Sequence, residues 1–428
     1  MRSWWVVCAL LGLGGAGYAS ADALTLADAL AAADRAHPDV AVAEADVASA
    51  KADVTSASAR QDLTVTVEGV LRQGRPTVGS PDWRADNSGR VVARKNLYDF
   101  SRSSSLVEAA EAELDAREKA LISSRDQHRL DVMARYFDVL IADQQYAADN
   151  ELMAVIYVSF DNMRERFKLG QISRPDLAVQ EAKYQDIREK RNASLAHQRL
   201  ARSALANAMF RPGELASDLI DPPLAENELK LPDYETLLPV VLAHNPAWLA
   251  QQQLLVASQK RLESMRHENA PTLDAEVEAG QYSRDALTRN SVSGGLIMTW
   301  PIYQGRRVDA RIAREQAQFA KLQAVTEGLK LNLSQALLQT MLEIDQLRNS
   351  ARPAAKQQIN YRDIALDRSR AEYELELKTN LGDSMAQTMT AQQRARGVEY
   401  RLALAIARLT ALTGEPANAL SKLVSANP

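Results

Sequence analysis

Two hydrophobic periods alternate along this chain, and each occurs twice. "AHPDVAVAEADVASAK", from Ala36, and "HNPAWLAQQQLLVASQ", from His244, carry a helical pattern behind a proline in the same place. His37-Pro38 answers Asn245-Pro246 at an offset of 208. Proline suits the first helical position, where its missing N–H has no intrahelical partner to lose. Asn245 is a strong N-cap and His37 a weaker one. Short amphipathic segments, "LTLADALAAADRA" and "DYETLLPVVLA", precede the two starts. Helices of about six turns follow, ending near Arg60 and Glu268.

The period then falls to two. Leu63, Val65, Val67 and Leu71 alternate with Thr64, Thr66, Glu68 and Arg72. In the second half Leu273, Ala275, Val277 and Ala279 alternate with Asp274, Glu276 and Glu278. One apolar and one charged face predict half-buried strands. Turn-rich stretches lead to return strands, "RVVARKNLYDF" and "GGLIMTWPIYQG", with Tyr98 answering Tyr303 at an offset of 205. Arg90, Arg94 and Lys95 interrupt the first return strand.

Each hairpin feeds a very long helix. No Pro or Gly occurs between Arg102 and Lys168, and Val132, Val139, Tyr146, Met153, Phe160 and Phe167 recur every seven residues, a coiled-coil seam. The second long helix starts at Arg306 and carries Leu322, Leu329, Leu333, Leu337, Ile344 and Leu347 on one stripe, with a kink expected at Pro353. The long helices reverse at "FKLGQISRPDL", with Gly170 as the stop, and at "YELELKTNLGDSM". Pro175 and Asp176 open the first returning helix. The returning helices end in "NAMFRPGE" and "LTALTGEP", each expected to close on its glycine.

The pattern therefore predicts two tandem repeats. The first covers 22–220, with a β-hairpin at about 62–98 and a helical hairpin at about 102–210. A Pro-rich linker covers 221–232. The second repeat covers 233–428, with a β-hairpin at about 271–302, a helical hairpin at about 306–413 and a C-terminal tail.

Composition sharpens this picture. The 428 residues are 46% hydrophobic but only 5% aromatic, rich in the residues of long helices. A mean hydropathy of −0.29 argues against many membrane-spanning helices. With a net charge of −4 and no basic block, nucleic acid is not an expected partner. Arg2, the apolar run "WWVVCALLGLGGAG" and Ala19-Ser20-Ala21 read as a signal peptide over 1–21. Cys8, the single cysteine, would leave with it. Any membrane crossing must then use strands, and four strands cannot close a barrel whose smallest bacterial form has about eight. Open edges must be paired between chains.

The order of elements resembles the TolC-type outer-membrane efflux proteins. The resemblance rests on the paired "HP"/"NP" helix starts, "NLYDF" and "PIYQGRRVDA" at the strand-to-helix junctions, and "RFKLGQISRPDL" at the first turn. It implies a mainly α fold in which long antiparallel helices form a periplasmic α-barrel and four β-strands per chain contribute to a membrane β-barrel. It implies a homotrimer in outer membrane lipid, with most of each chain in the periplasm. The assembly would be the passive exit duct of a tripartite efflux or type I secretion system. A periplasmic adaptor, or membrane fusion protein, would couple it to an inner-membrane transporter of the RND, ABC or MFS type. The other reading kept open is a non-conducting periplasmic coiled-coil scaffold or adaptor, because of the three basic residues in the strand.

The resemblance also marks positions. Asp383, in "LGDSMAQ", matches an acid lining the tunnel's constriction, while the usual second acid falls on Ala386. One carboxylate per chain, repeated about an axis, would concentrate negative potential. Asp176 matches an acid on the neighbouring helix, and Lys378 is a candidate to pair with it in a closed state. Both acids also suit helix N-termini, where the dipole favours them. Gly170, Arg174 and Gly382 mark turns suited to adaptor docking. Trp300 and Tyr303 suit an aromatic belt at a membrane edge, and Lys95, aligned with Trp300, leaves the first half without a match. No enzyme or cofactor is expected: His37, His128, His197, His244 and His267 show no metal-ligand spacing, and no phosphate-binding glycine loop or nucleophile elbow occurs.

Overall fold

The computed structural model describes residues 23–34, 37–75, 82–214, 218–283, 290–375, 381–416 and 418–420. The segment read as a signal peptide, most of the C-terminal tail, Glu376 and Lys378 lie outside the described residues.

The repeat holds at the level of individual elements. α1 (Leu26–Ala33) and α2 (Pro38–Ser58) are matched by α5 (Tyr234–His244) and α6 (Pro246–Arg266). His37 and Asn245 are the N-caps of α2 and α6: Nδ1 of His37 accepts from the Asp39 N–H at 3.3 Å, and Oδ1 of Asn245 accepts from Trp248 at 2.9 Å. The shorter bond belongs to the better capping residue. Strands β1 (Thr64–Val70) and β4 (Ser88–Tyr98) correspond to β5 (Thr272–Tyr282) and β6 (Val292–Thr299). Between β1 and β4 lies a small ribbon, β2 (Gln73–Gly74) paired with β3 (Arg84–Ala85), which the sequence pattern did not predict.

The long helices follow: α3 (Arg102–Lys168), and α7 (Arg307–Gln346) continued through a π-helical stretch (Leu347–Ala351) into α8 (Arg352–Glu374). At 1.5 Å per residue, the 67 residues of α3 make about 100 Å of helix. Pro353 therefore does not break its helix; the wider π turn just before it accommodates a residue that can donate no hydrogen bond. The returning helices are α4 (Arg174–Ala208) and α9 (Leu381–Thr413).

The helix ends differ in one respect from the expectation. α9 stops at Gly414, whose φ is +67°. α4 stops before Gly213, at Phe210, whose φ is +55°. The Phe210 N–H bonds the Asn207 carbonyl and the Arg211 N–H bonds that of Ala206, the paired bonds of a Schellman ending. The same substitution of Phe for Gly recurs where strands enter the long helices. Gly305, just before α7, has φ +68°, and Phe100, its counterpart before α3, has φ +55°. Both junctions need a left-handed residue, and one half of the repeat supplies it without glycine.

Two compact units result. One contains the residues around α1, Val132–Pro223 and Arg362–Gln393. Within it α3 and α4 pack antiparallel, and the heptad seam is graded. Val132 and Val139 are fully buried. Tyr146 lies under the Arg191 guanidinium at 5.1 Å, and its hydroxyl accepts from Nη2 of the same arginine at 2.8 Å. Phe160 stacks on Tyr184 at 5.6 Å, and Phe167 is exposed. The chain just before the Pro-rich linker is pinned. Leu24 and Leu219 form a parallel bridge. The buried Tyr136 hydroxyl lies 2.8 Å from the Leu24 carbonyl and 2.6 Å from that of Ile220. Burial pushes this phenol up to about 12.

The second unit contains Ala36–Asp131, Leu224–Tyr361 and the chain from Arg394 on. Its core gathers Leu237, Val241, Trp248, Leu333, Leu337, Ile344, Val398, Leu402, Ile406 and Leu409 from α5, α6, α7 and α9. One polar knot ties this core to the linker. Arg352 grips Glu399 with two bonds of 2.7 Å, and the buried Asn227 donates to the Glu399 carboxylate at 2.8 Å and to its carbonyl at 3.0 Å. Burial raises the Glu399 carboxyl, but the Arg352 and Asn227 bonds outweigh it and hold it below the usual range.

The two hairpins form one sheet, in the order β1-β4-β5-β6, antiparallel throughout. The β4–β5 ladder runs from Ser88–Tyr282 to Tyr98–Leu273, joining the halves of the repeat. Within the described residues the open edges are then β1 and β6.

Candidate functional site

The sheet has two chemically distinct faces, and its register sorts every strand residue between them. Val65 and Val67 on β1 align with Ala93 and Val91 on β4, with Val277 and Ala279 on β5, and with Gly294 and Val292 on β6. Leu296 and Met298 extend this face. Its residues are exposed: Val67 at 80%, Val292 at 68% and Leu296 at 67%. A row of uncovered valines and leucines on a twisted sheet is out of place in water.

The other face is ionic. Arg90 bonds Glu68 on β1 at 2.7 Å through Nε and lies 3.7 Å from Glu278 on β5. Arg94 pairs with Glu276, and Asn96 donates to Asp274 at 2.8 Å. Two of the three basic residues that looked foreign to an apolar strand thus belong to the polar face, each opposite a glutamate. Cross-strand pairs of opposite charge suit this arrangement. Lys95 alone has the parity of the apolar face, near the strand's end, where a long side chain can carry its ammonium out to water.

Aromatic residues mark that same end of the sheet. Trp300 and Tyr303 follow β6 and are exposed at 59% and 86%. The first half supplies Tyr98, which answers Tyr303 in the repeat but whose face alternation alone did not give. A bulge between Asn96 and Tyr98 shifts the register so that Tyr98 opposes Leu273. Tyr98 thereby falls on the apolar face, and its ring packs 4.8 Å from that of Phe100. The bulge is not visible in the alternation of side chains, which without it would put Tyr98 on the ionic face.

The helical turns belong to the other unit. Gly170 ends α3 with φ +70°; its N–H bonds the Phe167 carbonyl and that of Gln171 bonds Arg166, so the glycine is explained by a Schellman stop. α4 then opens with Arg174 as its first residue. Ser173 and Asp176 form a reciprocal capping box, with Oγ of Ser173 2.6 Å from Oδ2 of Asp176. Asp176 is exposed and engaged locally. Arg174, also exposed, places a cation at the positive end of a helix, an arrangement unfavourable to the helix itself.

At the second turn, Gly382 and Asp383 lie inside the first turn of α9 rather than before it. Gly382 is packed so closely on α3 that a Cβ there would meet Val155. Asp383 is half-buried and accepts from Nε2 of Gln387 at 2.8 Å. Ser369 of α8 and Ser384 of α9 share a hydrogen bond of 2.6 Å beside it, and Ala386 is buried. Lys378 lies outside the described residues. The turns also expose apolar side chains that periodicity did not single out: Leu169 at 72% and Leu375 at 69%, with Val179 and Met385.

The family model described as outer membrane efflux protein matches residues 29–209 and 237–415, one match for each half of the repeat. The chain belongs to the outer membrane efflux protein family. It is 23% identical over 305 residues to outer membrane efflux protein BepC of Brucella suis biovar 1 (strain 1330), a match covering 70% of this chain and 66% of BepC. It is likewise 23% identical over 334 residues to outer membrane protein TolC of Escherichia coli (strain K12), covering 70% of this chain and 65% of TolC. The chain thus spans just under two thirds of the length of these curated relatives. Its fold matches that of a membrane protein from Pseudomonas aeruginosa with a TM-score of 0.75 at 18% identity, covering 91% of this chain and 90% of that one. Among the described residues of this efflux family member, no helix is long and apolar enough to cross a membrane.

Proposed function

We propose that this chain is one third of an outer-membrane exit duct. The observation that carries the reading is the two-faced sheet: exposed valine and leucine on one side, crossed ion pairs on the other, and an unpaired strand at each edge. Three copies joined β6 to β1 would close twelve strands. Their apolar face would meet lipid, their ionic face would line water, and no edge would remain. Trp300, Tyr303 and Tyr98 would lie at the membrane interface, where amphipathic rings are favoured. Arg90 and Arg94 lie on the ionic face, which in this reading lines water, so they do not argue for a soluble scaffold.

The duct is passive and depends on partners. A periplasmic adaptor would dock on the helical turns around Gly170 and Arg174 and near Gly382, where exposed Leu169 and Leu375 offer apolar contacts. An inner-membrane transporter would supply the driving force through that adaptor. Asp383 would repeat three times about the axis at the periplasmic constriction, attracting cations. Asp176 would face Lys378 in the closed state, exchanging its capping role for an ion pair.

The test is fractionation followed by electrophoresis without heating. The protein should enter the outer-membrane fraction and migrate as a trimer that heating dissociates. A monomer in the soluble periplasmic fraction would overturn the reading.

A further inference from the structure

The helical unit that includes the sheet holds a second cluster with its own chemistry. His37 caps α2, Asp39 occupies that helix's first turn, and His128 projects from α3. The two imidazole rings lie 4.0 Å apart between centroids, inclined by 24°. Oδ2 of Asp39 is 3.6 Å from Nδ1 of His37. One ligand atom from each of the three residues falls within 4.8 Å of the other two. His128 is buried, while the Asp39 carboxylate is open to solvent. A cleft of about 450 Å³ opens beside them, lined by Asp39, His128, Asp131, Ser123, Ser124 and Gln127.

We infer that this cluster is a binding site for a borderline divalent cation such as Zn²⁺. Two imidazoles and one carboxylate suit zinc and its first-row neighbours rather than magnesium or calcium, which take oxygen donors. Ligand distances of about 2.0–2.2 Å put the donors of a tetrahedral ion about 3.4 Å apart, so the cluster must close slightly. Stacked rings hold their nitrogen lone pairs in nearly parallel planes, which do not meet at one ion, and coordination therefore turns one ring about its side-chain torsions. His37 is the ring to move. Its Nδ1 accepts the cap bond from the Asp39 N–H at 3.3 Å, at the weak end of the range. Three protein ligands leave a fourth position for water or for Asp131, which lies one turn beyond His128 and faces the same cleft. The ion would clamp the start of α2 to the middle of α3. The three ligands come from positions 37, 39 and 128, so no local spacing could announce them.

The test is equilibrium dialysis of the purified, tag-free protein against Zn²⁺, with Co²⁺ as a spectroscopic probe. One ion per chain should bind with micromolar affinity, and Co²⁺ should show the visible bands of four-coordinate N/O ligation. His37→Asn keeps a capping oxygen and removes the imidazole; His128→Gln removes the other. Each should weaken Zn²⁺ binding at least tenfold, while His197→Gln should not. Failure of the unmodified protein to take up one ion, or uptake indifferent to both His37→Asn and His128→Gln, would overturn the assignment. Trimer formation and membrane insertion are independent of this outcome.

Discussion

A Cβ placed on Gly382 would lie 2.2 Å from Cγ2 of Val155. The first turn of α9 and the outer part of α3 are thus in contact closer than any other residue permits, right beside Asp383. Gly382→Ala should force the helices apart and destabilise the protein by about 1–3 kcal/mol. Val155→Ala in the same chain should recover most of the loss. Thermal unfolding of the single and double variants measures the coupling; additive losses would show that the contact is not responsible.

Phe210 pays a conformational cost at the end of α4. A left-handed conformation disfavours a residue with a large side chain by about 1–2 kcal/mol, and Asn tolerates it better. Phe210→Asn should raise stability by up to about 1 kcal/mol, seen as a higher thermal midpoint of the helical signal. A lower midpoint would mean that the ring's packing outweighs its backbone strain.

The knot of Arg352, Glu399 and Asn227 makes an acid-side prediction. The folded Glu399 carboxyl is held below its ordinary value of 4.5. A depressed carboxylate contributes stability above the unfolded pKa and loses it as pH falls through the folded one. The stability advantage of the unmodified protein over Glu399→Gln should therefore be full at pH 6 and shrink below about pH 4.5. Arg352→Met leaves a partly buried carboxylate without its main donor and should cost about 1–3 kcal/mol at neutral pH. Denaturation midpoints across pH check both; a pH-independent difference would contradict the first.

The apolar face predicts a position-dependent intolerance of charge. Val67→Arg faces the proposed lipid and should cost about 2–4 kcal/mol if it lies near the membrane's midplane. Thr66→Arg, its neighbour on the ionic face, should be accepted. Yield of heat-modifiable trimer in the outer membrane reports the difference, and equal yields would contradict the assignment of faces.

Much of this architecture was legible in the sequence because its signals are periodic. The heptad stripe from Val132 to Phe167, the alternation from Leu63 and from Leu273, and a proline repeated at an offset of 208 each report a local geometry. What escaped depends on pairing between distant segments. Arg90 looked wrong for a strand until Glu68 and Glu278 stood beside it. The β4–β5 ladder joins residues about 180 positions apart and has no local signature. Pro353 marked the interruption of the long helix, but propensity does not anticipate that it takes the form of a π turn. Phe210 was passed over for Gly213, since local preference favoured glycine while the chain ended its helix three residues sooner. Of the candidate site residues, Gly170 and Asp176 follow from capping rules. Gly382 needed Val155, and Tyr98 needed the bulge.

Planar-bilayer recording of the purified trimer tests the duct most directly. Stable single-channel steps, selective for cations, are expected, with Asp383→Asn lowering that selectivity. A trimer that inserts into lipid yet passes no current when its adaptor is absent or present would contradict the proposed duct.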